Sequence, residues 1–229
     1  MPGPANLRTC FFDGTAPACL GRAAIALLLL GTIRAAHATT ADDLCLPTAD
    51  PCIVPAFVVV DDGSLIDVGT RTLRVTGRLD VRTGSMTLNA GRLELPIGGE
   101  LRARGDNLLP GGEITVSAGS MQIDGSIDTS GSPGGTVDLS SPGDLNVSGA
   151  IQADSLTNDE LGGSVTISGG AAVTLGGPVT AQGGSERFGG DIDIGAAGAL
   201  RVMAAVNASG GSGGTIELAA SQTAITVAK

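Results

Sequence analysis

Carboxylates are the only chemically versatile side chains this chain carries in number. Asp and Glu supply 23 of its 229 residues, and the candidate pairs to act together are Asp61-Asp62 and Asp191/Asp193. Paired carboxylates can divide general acid and base roles in glycoside hydrolysis, or bind Ca²⁺ through their oxygens. Asp61-Asp62 runs straight into Gly63, which reads as a turn. Asp191 and Asp193 alternate with Ile192 and Ile194, so both acids point out from a strand whose other face is buried. A reacting site needs convergent groups, and these acids are scattered, so no catalytic residue is assigned and no catalytic activity is expected.

Other chemistries lack their side chains. His37 is the only histidine, there is no Tyr or Trp, and the only Lys is Lys229. A Ser-His-Asp or Cys-His arrangement, a His-ligated zinc site and a P-loop are thereby excluded downstream of residue 38. Nucleic-acid binding by base stacking has no aromatic platform. No cofactor is expected, Ca²⁺ being the one candidate ion.

Residues 1–38 read as a secretory signal peptide. Arg8 and Arg22 precede the apolar run Ala23–Ile33, and Ala36-His37-Ala38 follows as a small-x-small cleavage site before Thr39. The run is too short for a membrane span, which needs about 20 apolar residues. Export to the cell surface, the medium or the periplasm is the expectation. Cys10 and Cys19 leave with the leader, and Cys45 and Cys52 remain as an even pair. In an oxidising compartment that pair reads as one local disulfide. The Pro-rich segment it closes, within residues 39–55, is expected to cap whatever follows.

The charge pattern narrows the partners. The formal net charge is −10, and the leader contributes three Arg against Asp13. An acidic exported chain repels nucleic acid and anionic lipid, so the expected partner is an extracellular or surface ligand, glycan or protein. Residues 71–104 hold seven Arg, whereas Gly105–Glu186 holds ten acids and neither Lys nor Arg. The plain reading of the acidic stretch is a solvated surface.

The elements that must carry these side chains repeat. Gly111-Gly112, Gly134-Gly135, Gly162-Gly163, Gly189-Gly190 and Gly213-Gly214 recur at spacings of 23, 28, 27 and 24 residues. Each pair opens an alternating strand (Ile114/Val116, Val137/Leu139, Val165/Ile167, Ile192/Ile194, Ile216/Leu218). A tight turn and a second alternating pair follow, from Met121/Ile123 to Ile225/Val227, and a third short strand closes four of the units, from Ile127/Thr129 to Val206/Ala208. Period-two alternation means one buried face per strand. Three short strands per repeat predict an all-β fold, a parallel β-helix or solenoid of about seven rungs over residues 56–229 with Gly-rich corners. Glycine is expected at the corners to supply positive φ. Stacking then aligns Ile114, Val137, Val165, Ile192 and Ile216 as one buried ladder. Outside, it makes two columns: Glu113, Thr136, Ser164, Asp191, Thr215, and Thr115, Asp138, Thr166, Asp193, Glu217. Glu113, Asp138, Asp191, Asp193 and Glu217 are the candidate Ca²⁺ ligands, set against an ordinary β-surface. The fifth unit stops at Lys229 before a third strand, so the array is expected to be truncated there, with end-to-end self-association of the uncapped rung.

The Gly-Gly-x-[Ile/Val]-x-[Ile/Val/Leu] rungs resemble the repetitive β-helical regions of bacterial filamentous haemagglutinin-like exoproteins and autotransporter passengers. That resemblance implies an extended extracellular fibre, often adhesive. The Asn-Pro-Asn-Gly motif of two-partner secretion domains is missing. The functional expectation is an exported structural or adhesive surface module. The alternatives are the non-catalytic part of a β-helical polysaccharide-active enzyme, or a weak Ca²⁺-binding extracellular repeat protein.

Overall fold

The computed structural model describes residues 38–221 and 225–227, so the expected leader lies outside the described residues apart from Ala38. The described chain is a parallel β-solenoid of three sheets. Sheet A has eight strands, from Cys52–Val54 to Ile225–Val227. Sheet B has seven, from Phe57–Val59 to Val206–Asn207, and sheet C has seven, from Ser64–Asp67 to Thr215–Ala220. The chain visits A, B and C in turn, and each strand pairs in parallel with its counterpart one rung on. No helix among the described residues is long and apolar enough to cross a membrane.

The alternation seen in the sequence is what lets seven rungs share one core. In sheet C, Ser64, Met86, Ile114, Val137, Val165, Ile192 and Ile216 stand in register. From Met86 to Ile192 they are at most 1% exposed. Each buried Val, Ile or Leu contributes about 1.5–3 kcal/mol relative to an exposed one. Ile216 departs from the expected ladder: its strand has a partner on one side only, and it is 44% exposed. Ile225 and Val227 are exposed for the same reason.

Two expectations need correction. The first rung begins at Cys52, within the segment assigned to the cap, because Cys52 and Val54 point inward and pair with Leu73 and Val75. The second concerns glycine. Positive φ occurs at Gly63, Gly69, Gly98 and Gly213, but not along the corner column Gly84, Gly112, Gly135, Gly163, Gly190 and Gly214. There, a Cβ on each glycine from Gly112 onward would land on the carbonyl oxygen of the column member one rung before it. Close backbone approach, not handedness, selects these glycines.

The N-terminal segment folds onto the first rung. A short helix, Ala41–Leu44, buries Ala41 against the core, with Leu44 and Cys45 packed on it. Thr39 donates its N–H to the Ser64 hydroxyl (2.9 Å), which gives the polar end of the sheet C ladder a partner. Arg71 donates to the carbonyls of Leu46 and Ala49 (3.0 Å each), and Thr72 N–H donates to Asp50 (3.0 Å). Cys45 and Cys52 form the expected disulfide. Closing so short a loop lowers unfolded-chain entropy by about 2.5 kcal/mol in the loop-closure estimate. Intact-mass analysis of secreted protein should therefore find no alkylatable thiol before reduction and two after. Reduction should lower the melting temperature by several degrees. Two free thiols without reductant would contradict the pairing.

The uneven charge also has a structural reason. Arginines in 71–104 meet acids across adjacent rungs: Arg74 with Glu94, Arg78 with Glu100, Arg102 with Asp80, and Arg104 with Asp128. Several aspartates also cap turns, Asp80 and Asp128 while ion-paired. Asp67, Asp80, Asp106 and Asp128 accept backbone N–H groups from Gly69, Arg82, Leu108 and Ser130, two residues on in each case. A short carboxylate suits that job, consistent with 17 Asp against six Glu.

Candidate functional site

The three corners are not alike. Turns from C to A and from A to B take one to four residues, as at 119–120 and 124–125, but the B-to-C corner swells to residues 103–112, 153–163 and 181–190. A solenoid rung needs no such loop, and ordering one costs conformational entropy. Backbone hydrogen bonds tie these loops together across rungs. Leu156 N–H donates to Gly131 O (2.8 Å), Gly184 N–H to Glu160 O (2.9 Å), Glu186 N–H to Asn158 O (3.0 Å) and Gly211 N–H to Gly184 O (3.0 Å).

Beside these loops, the outer face of sheet B forms the floor of a trench. Two columns of outward side chains supply it. One is Asp80, Arg102, Asp128, Gln152, Thr180 and Asn207, in strand register. The other is Arg104, Ser130, Asp154, Gln182 and Ser209, set by Gly105 N–H to Ser130 O, Gly131 N–H to Asp154 O, Ser155 N–H to Gln182 O and Gly183 N–H to Ser209 O. The main cleft holds about 350 Å³, and a neighbouring one of about 420 Å³ shares Arg104 and Leu156 with it. Leu156 is the one large apolar residue lining the main cleft.

The charges on this floor are engaged. Arg104 Nη1 lies 2.8 Å from Asp128 Oδ2, whose other oxygen accepts Ser130 N–H (2.9 Å). Asp154 accepts the Thr180 hydroxyl and Gln182 N–H, both at 2.7 Å. Asp106, on the same loop as Arg104, caps the N–H groups of Leu108 and Leu109. The triplet Arg104-Gly105-Asp106 is therefore built into the corner. Leu108 lines the neighbouring cleft, and the loops also expose Leu109, Leu161 and Phe188.

The carboxylates singled out from the sequence lie elsewhere. Asp61-Asp62-Gly63 is a turn, with Ser64 N–H donating to Asp61 O and Gly63 at φ +74°. Ser85's backbone N–H, and then its hydroxyl, hold the Asp62 carboxyl below the usual carboxylate range. Glu113, Asp138, Asp191, Asp193 and Glu217 stand in the two expected columns on sheet C, a different face from the trench. Asp193 and Glu217 are direct register neighbours, while Thr166 separates Asp138 from Asp193. Among the described residues no three His, Cys, Asp or Glu side chains are grouped to hold a metal ion. The trench itself gives little sequence signal, because its amides and hydroxyls come from single positions on different rungs. Set against protein-family models, curated proteins and solved structures, the chain matches none of them.

Proposed function

We propose that this chain is an exported surface module that binds rather than catalyses, with the solenoid as a stiff scaffold and the B-to-C corner as its contact surface. The observation that carries this reading is the gathering of insertions at one corner, cross-tied into a preformed surface. Loops mounted on a regular scaffold are where binding function concentrates. The Cys45–Cys52 disulfide supports export, since such bonds persist in oxidising compartments.

The test uses beads coated with the secreted chain and presented to polysaccharide-coated and glycoprotein-coated surfaces. Replacing residues 155–160 by a short Gly linker is expected to cut bead retention at least tenfold while leaving the circular dichroism spectrum unchanged. Incubation of the parent protein with the same polysaccharides should release no reducing ends. Retention that ignores the loop, or reducing ends that accumulate with protein concentration, would each overturn the proposal.

A further inference from the structure

We infer that the sheet B trench takes a linear, uncharged polysaccharide laid along the solenoid axis; this rests on reading the chain as a surface-binding module and names its ligand. Three observations select that chemistry.

The first is the lining. Gln152, Asn158 and Gln182 present amides that both donate and accept, and Thr157 and Ser185 present hydroxyls that do the same. Sugar hydroxyls are likewise donors and acceptors at once, so a polyhydroxylated chain can satisfy such a wall at many positions. The second is charge. Arg104 is the one cation lining the cleft and is already paired with Asp128, while Asp154 leaves a carboxylate on the floor. A uronate or sulfated chain would meet no uncommitted cation there, in a protein of net charge −10. A sugar hydroxyl, by contrast, can donate to Asp154.

The third observation sets polysaccharide apart from polypeptide. An extended peptide usually docks by adding a strand to an open sheet edge, with pockets for alternate side chains. Here the floor is the face of sheet B, whose strands from Glu100–Arg102 to Val179–Thr180 are hydrogen-bonded on both sides. The main cleft offers one large apolar side chain, Leu156, where a peptide would want several. Rungs also stack at ~4.8 Å, close to the advance per ring of an extended pyranose chain. Gln152 and Gln182 come from consecutive rungs and can meet successive sugar rings.

The experiment is affinity electrophoresis of the secreted chain through gels holding cellulose derivatives, mixed-linkage glucan, galactomannan, polygalacturonate or dextran sulfate. Retardation by at least one neutral polymer and by neither polyanion is expected. The double variant Gln152→Ala/Gln182→Ala should weaken retardation at least tenfold without moving the melting temperature, since both side chains face outward. Retardation by a polyanion alone, by none of the polymers, or equally for the double variant would overturn the inference. Bead adhesion separates this from failure of the broader proposal. Loop-dependent adhesion that survives the double variant, and is lost when the target surface is treated with protease, means a protein ligand and refutes only the polysaccharide.

Discussion

Val165→Asp is expected to abolish the cooperative melt of the solenoid at neutral pH. Val165 is fully buried between Val137 and Ile192, in register with both. Its ladder is apolar from Met86 to Ile192, so a carboxylate there meets neither a cation nor a donor. Burying a polar group without a partner costs about 4 kcal/mol or more, against a total stability on the order of 5–15 kcal/mol. The sign of the pH effect follows from burial. Desolvation raises the folded-state pKa of the new carboxyl above its unfolded value near ~3.9. The deficit is then smallest below that pH, and it grows as pH rises and the unfolded chain loses a proton the folded chain keeps. Ser168→Asp is the companion variant. Ser168 faces solvent between Ser140 and Gly195, so its melt should stay within a degree or two of the parent. Thermal melts by far-UV circular dichroism at pH 4 and pH 7 check both. Equal melts for the two variants would mean the register is wrong.

Gly163→Ala should be nearly as damaging, by a different route. The added Cβ would fall on the carbonyl oxygen of Gly135, close to Ala153 O and Cβ. That oxygen accepts Ser164 N–H (2.9 Å), and Gly163 N–H donates to Ala153 O (2.7 Å). Backbone cannot rotate away as a side chain can, so the rungs must part and strain or lose both bonds. A loss of about 3 kcal/mol is expected, at the upper end for overpacking by one methyl. Gly195→Ala supplies the contrast. Nothing lies within 4 Å of its new Cβ, and its φ is not positive. Alanine there should be neutral, or stabilise by about 0.5 kcal/mol through a less flexible unfolded chain. Chemical denaturation midpoints decide it. Equal midpoints for the two variants would refute close packing along the column.

How far the sequence discloses this structure depends on how many rungs repeat a given cue. Alternation at Ile114/Val116 and its four counterparts indicates both the inward faces and the parallel register, since only one stacking aligns all of them. The Gly-Gly pairs mark the corner correctly but for another reason. A glycine that admits positive φ and one that admits a neighbouring carbonyl are the same letter, and only the stacked backbone separates them. Cys52 reads as part of the cap because a cysteine pair is a stronger sequence signal than a single alternation of Cys52 with Val54. The trench is not legible in the sequence because Gln152 and Gln182 are ordinary polar residues, 30 positions apart along the chain. The charge pairing is hidden for a related reason, as Arg74 and Glu94 become neighbours only one full rung on.

The direction of the hydrogen bonds has a mechanical consequence. Every bond between rungs points along the solenoid axis, so a pull between the two ends loads strands one after another, like a zipper, rather than shearing many at once. The first rung is held by the Cys45–Cys52 link and by the Arg71 and Asp50 contacts, so it resists peeling more than the rungs that follow it. A rung that rose ~4.8 Å while folded pays out roughly 80 Å of chain once peeled, at about 3.4 Å per residue. Under load the fold would yield by many small, reversible steps, each taking up slack before tension reaches the next rung.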